Sequence, residues 1–116
     1  MVKTNISFTM SIQSLHTITL HTTPDVRDLI KSDSNWHHIM QLIYNNLPTI
    51  KRTPRVQDIS FWTIENCPDG TTVSCREDND IPPILFHKFS FKLPSQKLYL
   101  CLNEVGGYTL MTPSEY

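Results

Sequence analysis

A chain of 116 residues that is 39% hydrophobic and 18% charged has the size of one domain, residues 1–116, and enough apolar mass for a core without metal or disulfide support. Ten Lys and Arg against eleven Asp and Glu leave a formal net charge of −1. A dedicated nucleic-acid binder is usually clearly basic, so that balance makes nucleic acid an unfavoured partner and leaves protein partners open.

Near the N-terminus, ISFTMSIQSLHTITL is interrupted by polar residues too often for a signal-peptide core, and nothing approaches the roughly 18 apolar residues of a membrane span. The three cysteines, Cys67, Cys75 and Cys101, are an odd number without a signal sequence, which points to reduced thiols and a cytoplasmic address with no membrane association. Asn5-Ile6-Ser7 is a glycosylation sequon only in the formal sense at such an address.

Residues 6–13, ISFTMSIQ, alternate strictly, with Ile6, Phe8, Met10 and Ile12 on one side. That is the pattern of a half-buried strand. Ser14 and Leu15 turn the chain, and HTITLHT returns with Ile18 and Leu20 inward, so an N-terminal β-hairpin is expected. Thr23-Pro24-Asp25 then starts a helix: a capping hydroxyl, a proline at the first helical position and an acidic residue at the positive helix end. Val26, Leu29 and Ile30 form its apolar stripe. SDSN at 32–35 interrupts the helix, and Trp36, Met40, Ile43 and Leu47 resume the stripe in the same phase. One kinked helix or two nearly collinear helices are expected, ending at Pro48.

The adjacent pair His37-His38 lies on this helix. Neighbouring helical positions point about 100° apart, so the two cannot hold one metal as an i, i+4 pair can. The spacing places His37 at the edge of the apolar stripe and His38 on the wet side with Gln41 and Asn45.

After PTIKRTPR, a linker whose Lys51, Arg52 and Arg55 read as solvated loop charge, the pattern becomes that of strands. VQDISFWTI leads into the turn Cys67-Pro68-Asp69-Gly70, and TTVSC returns as its partner. Cys67 and Cys75 flank that turn and are candidates to face each other as reduced thiols. LFHKFSF, KLYLCLN and YTLMT complete an antiparallel meander of about five short strands. The class is α+β, a helical layer on one face of a mainly antiparallel sheet. HTITLHTTPDVRDLI resembles the second strand and helix start of ubiquitin-like β-grasp domains, which implies a β-grasp-like or related helix-on-sheet topology. The meander is longer than in that family, and Gly106-Gly107 is internal rather than a free tail, so conjugation is not implied.

No motif names a reaction. Three glycines leave no phosphate-cradling loop, and Cys-x-x-Cys, His-x-x-x-His and Gly-x-Ser-x-Gly are absent; no metal or cofactor is expected. A histidine-dependent, metal-free ribonuclease or toxin is the enzymatic alternative, pairing His87 with His16, His21, His37 or His38 near Lys88. His87 and Lys88 are strand neighbours and point to opposite faces, which works against a shared pocket.

Counting faces favours binding. One helical layer shelters one side of a sheet, yet Ile59 and Phe61 alternate with Trp62 and Ile64, Ile84 and Phe86 with Leu85 and Phe89, and Tyr99 with Leu98 and Leu100. The surplus marks Trp62, Ile64, Phe86 and Tyr99 as a partner-binding patch, with Glu77, Asp78 and Asp80 adding acidic complementarity. The expected function is a small non-enzymatic module that docks on or inhibits another protein (a toxin, a host factor or a second copy of itself), as immunity proteins, antitoxins and phage-type inhibitors do.

Overall fold

Each switch of periodicity along the chain is a change of element in the computed structural model, which describes residues 8–12, 16–78 and 80–116. The elements are β1 (Phe8–Ile12), β2 (His16–Thr22), α1 (Pro24–Ser32), α2 (Trp36–Lys51), β3 (Ile59–Cys67), β4 (Gly70–Arg76), β5 (Leu85–Phe89), β6 (Gln96–Leu102), β7 (Tyr108–Met111) and a closing 3₁₀ turn, Pro113–Glu115. The predicted turn at Ser14-Leu15, the inward side chains of the first strand and the Asn5 sequon lie outside what is described.

α1 ends where an aspartate competes with the helix for backbone donors. Asp33 is extended, and its Oδ1 accepts the Asn35 N–H at 2.8 Å while its carbonyl accepts the Trp36 N–H at 3.1 Å. This Asx turn makes two helices of the continuous apolar phase. Pro48 does not end α2, as the sequence predicts; the helix runs through it to Lys51. Pro48 lies in the last turn, its own carbonyl still accepts the Arg52 N–H at 3.2 Å, and buried Ile50 holds that turn on the core.

The sheet order is β1-β2-β7-β6-β3-β4-β5. β2 and β7 run parallel and the other neighbours antiparallel. The second half is therefore no simple meander. β3, β4 and β5 follow one another across the sheet, and the chain then returns to lay β6 against the far side of β3. That is Greek-key connectivity. The return is short: three strand spacings are about 14 Å, within reach of the segment 90–95. Side chains at the end of the β3–β4 hairpin fasten it. The Thr71 hydroxyl donates to the Phe91 carbonyl at 2.8 Å and accepts the Leu93 N–H at 2.9 Å, while Asn66 Nδ2 donates to the Leu93 carbonyl at 2.8 Å. The hairpin itself closes tightly on Pro68-Asp69, with Cys67 opposite Gly70. A Cβ on Gly70 would sit 2.1 Å from the Phe89 carbonyl oxygen, so this close approach of β5 requires glycine.

Both helices serve one face. Trp36, Ile39, Met40, Ile43 and Leu47 of α2 and Val26 and Ile30 of α1 join Ile18, Leu20, Trp62, Ile64, Val73, Leu98, Leu100, Tyr108 and Leu110 in one buried cluster. Trp62 is 0% exposed, and its indole N–H donates to the Oγ of buried Ser60 at 3.0 Å, which satisfies its one polar atom. No helix among the described residues is long and apolar enough to cross a membrane. Because Trp62 fills the centre of this layer, Trp62→Ala is expected to destabilise the chain by about 3–5 kcal/mol in urea unfolding, whereas Phe86→Ala, on the other face, changes it by less than about 0.5 kcal/mol.

Candidate binding surface on the open sheet face

Strand register decides what the uncovered face displays, because residues directly opposite one another point the same way. Phe61 lies opposite Tyr99 on one side and Arg76 on the other, and Tyr99 lies opposite Met111. Thr63 lies between Lys97 and Ser74, and Ser74 faces Phe86. An aromatic row crosses the middle of this surface. Phe61 and Tyr99 meet edge to face at 5.0 Å, and Tyr99 and Tyr116 do the same at 5.1 Å. Tyr116 is 73% exposed. Lys97, Thr63, Glu65, Ser95 and Gln96 surround a shallow depression of about 360 Å³ beside the row.

The predicted patch divides between the two faces. Trp62 and Ile64 are both 0% exposed and point at the helices, so neither presents a side chain to a partner on the open face. Phe86, 63% exposed, and half-buried Tyr99 lie on the open side. Alternation correctly separates Phe61 from Trp62, but Trp62 lies opposite Leu98 and Cys75 while Tyr99 lies opposite Phe61; Trp62 and Tyr99 cannot share a surface. The residues missed are Phe61, Ile84, Met111 and Tyr116. Phe61 has its alternation with Trp62 as a signal and Ile84 its two-residue spacing from Phe86, although it precedes β5, whereas Tyr116 has none, since its place depends on the turn at Pro113–Glu115.

That turn is anchored by a carboxylate. Thr23, the residue before α1, makes no capping bond to its own helix. Its hydroxyl donates to Glu115 Oε1, and the Asp25 N–H donates to Glu115 Oε2 at 3.2 Å. The Thr112 N–H and hydroxyl also donate to Glu115 Oε1, at 3.0 and 3.1 Å. A side chain 90 positions along the chain from Asp25 thus caps α1, and the same turn seats Tyr116 on Tyr99.

The acidic segment is partly engaged. Arg55 Nε donates to Glu77 Oε1 at 2.6 Å, and only Asp78 and Asp80 of the three predicted acids are exposed. Two members of the basic cluster are engaged within the chain, Arg55 by Glu77 and Lys51, whose Nζ donates to the Gly106 carbonyl at 2.6 Å.

Cys67 and Cys75 do not face each other. Cys75 lies opposite Trp62 and points into the core, where burial, only partly offset by a hydrogen bond to Ser60, pushes its thiol up to about 12. Cys67, by strand parity, lies toward the open face, and both are free thiols.

His38 is exposed, as its helical phase predicts, and its ring also stacks on Phe91 at 5.4 Å and approaches Phe89 at 6.3 Å. His87 packs on Phe89 at 4.4 Å. These contacts are aromatic packing at the rim of the core. Among the described residues no three His, Cys, Asp or Glu side chains gather as a metal site.

Burial raises the Glu115 carboxyl, but the hydrogen bonds from Thr23, Thr112 and Asp25 outweigh it and hold the group below its ordinary value of 4.5. The clasp therefore contributes stability above that value and loses it as pH falls through the lowered one. Glu115→Gln is expected to cost roughly 0.5–1 kcal/mol near neutral pH, a modest figure for a solvent-accessible group. In urea unfolding followed from about pH 7 to about pH 3, the two curves should converge at the acid end. Comparison of the chain with family models, curated proteins and solved structures gives no match.

Proposed function

We propose that this chain is a small, non-enzymatic protein-binding module that docks on or inhibits a partner protein through the open sheet face, in the manner of an immunity protein, an antitoxin or a phage-type inhibitor. The observation that carries this reading is the aromatic row Phe61–Tyr99–Tyr116 on a face that neither helix covers, extended toward one sheet edge by Phe86 and Ile84. Tyr side chains combine large apolar area with a hydrogen-bonding tip and recur as interface anchors. Arg76 lies opposite Phe61 and Lys97 opposite Thr63, and Asp78 and Asp80 are exposed in the segment that follows β4, so charge of both signs is at hand to orient a partner.

Trp62 and Ile64 drop out of the contact set and belong to the core beneath it. A cytoplasmic location belongs to the same reading. So does the finer fold assignment, with β1 and β2 as an N-terminal hairpin and the strand that enters the helix running parallel to the last strand, as in β-grasp-like folds.

A tagged chain used as bait in extract of its native host, beside Tyr99→Ala and Phe86→Ala baits, provides the test. The expected result is a protein held by the parent chain whose affinity falls at least about tenfold with Tyr99→Ala, a loss of about 1.4 kcal/mol. A partner held equally by all three baits would overturn the open face as the docking surface.

A further inference from the structure

β5 ends the sheet, and the edge of a sheet carries unpaired backbone donors and acceptors that natural proteins guard with charge, proline or a covering segment. Here the guard is weak. Lys88 is the one formally charged side chain on the strand, and its Nζ donates to Asp69 Oδ2 at 2.7 Å within the same chain. Ile84 and Phe86, 41% and 63% exposed, are two of the four large apolar side chains most exposed among the described residues; Phe86 lies on β5 and Ile84 immediately before it, its N–H donating to the Cys75 carbonyl at 2.8 Å. An edge this apolar, with its single lysine held by Asp69 of the same chain, is suited to pairing.

We propose that β5 pairs antiparallel with β5 of a second copy about a two-fold axis at His87, joining two sheets into one. The occupant is a second copy because the strand is complementary to itself. His87 is the midpoint of Leu85–Phe89, so a two-fold there is the register in which all five residues find partners. In that register Phe86 lies across from Lys88 of the other copy, with an aliphatic stem and an ammonium over the ring, and Leu85 lies across from Phe89. Shifting the axis one residue back brings Pro83, which has no N–H, into the ladder; shifting it one residue forward sets Lys88 against Lys88. The pairing takes up Phe86, at the border of the open face, and leaves the aromatic row Phe61–Tyr99–Tyr116 untouched.

Light scattering on the eluting peak and sedimentation measure it directly. The parent chain should be a dimer at about 50 μM, and Phe86→Lys, which places a lysine across from Lys88, should weaken the dimer at least about tenfold while leaving the circular dichroism unchanged. In a chain with Cys67 and Cys101 replaced by serine, His87→Cys should give a disulfide-linked dimer on mild oxidation and Asp80→Cys should not. Tyr99→Ala should leave the dimer intact, separating this interface from the open face. A parent chain that stays monomeric at about 200 μM, a dimer untouched by Phe86→Lys, or no cross-link through His87→Cys would overturn the proposal.

Discussion

The register that places Trp62 opposite both Cys75 and Leu98 sets the organisation of this molecule. Those pairings turn one parity of β3 toward the helices and the other toward solvent. Because a strand alternates with period two, a slip of one residue would put Phe61 beneath α2 and Trp62 outside it. The core tolerates no such exchange: Trp62 has a hydrogen-bond partner in Ser60 and packs in one cluster with Trp36, Ile43 and Leu98, whereas Phe61 has neither. One buried indole thereby fixes which face is sealed, and the remainder of the sheet follows.

The open face is a consequence of that choice, and it is not uniformly apolar. Phe61, Tyr99 and Met111 form its greasy strip, while Thr63, Ser74, Arg76 and Lys97 interrupt it. Partial burial of the strip by its own edge-to-face contacts lowers the cost of leaving it wet, and the polar neighbours keep it from being a continuous adhesive surface. The 3₁₀ turn at the C-terminus ties this face to the opposite layer: Glu115 caps α1 while the next residue, Tyr116, rests on Tyr99. A helix terminus on one side of the sheet is thus coupled to an aromatic on the other through two consecutive residues.

The histidines and thiols illustrate how packing claims side chains whose chemistry invites other readings. His38 and His87 both lie against Phe89, at the corner where α2 meets the β5 edge. Cys75 sits in the core with its thiol held protonated by burial, and Cys67 and Cys101 lie with the opposite parity. Phe89, in turn, is drawn against the hairpin because Gly70 permits the approach, so a turn residue chosen for its missing Cβ also places the aromatic that receives both histidine rings.

What is local was legible in the sequence. Strict alternation gives the strands of the second half, Asp33 gives the break between the helices through its own carboxylate, and Cys67-Pro68-Asp69-Gly70 gives a two-residue hairpin. The phase that unites Leu29, Trp36 and Ile43 identifies the core side of both helices, and of the predicted surface residues Phe86 and Tyr99 do reach the open face. Tertiary structure alone decided the rest. Alternation separates Phe61 from Trp62 but carries no sign, and the sign comes from pairing with Leu98, 36 positions away. The return of β6 to β3, the survival of α2 past Pro48 under the pull of Ile50, and the capping of α1 by Glu115 depend equally on groups distant in the chain. Periodicity is written within a few neighbouring residues; faces, registers and clasps are settled only when distant segments compete for the same buried space.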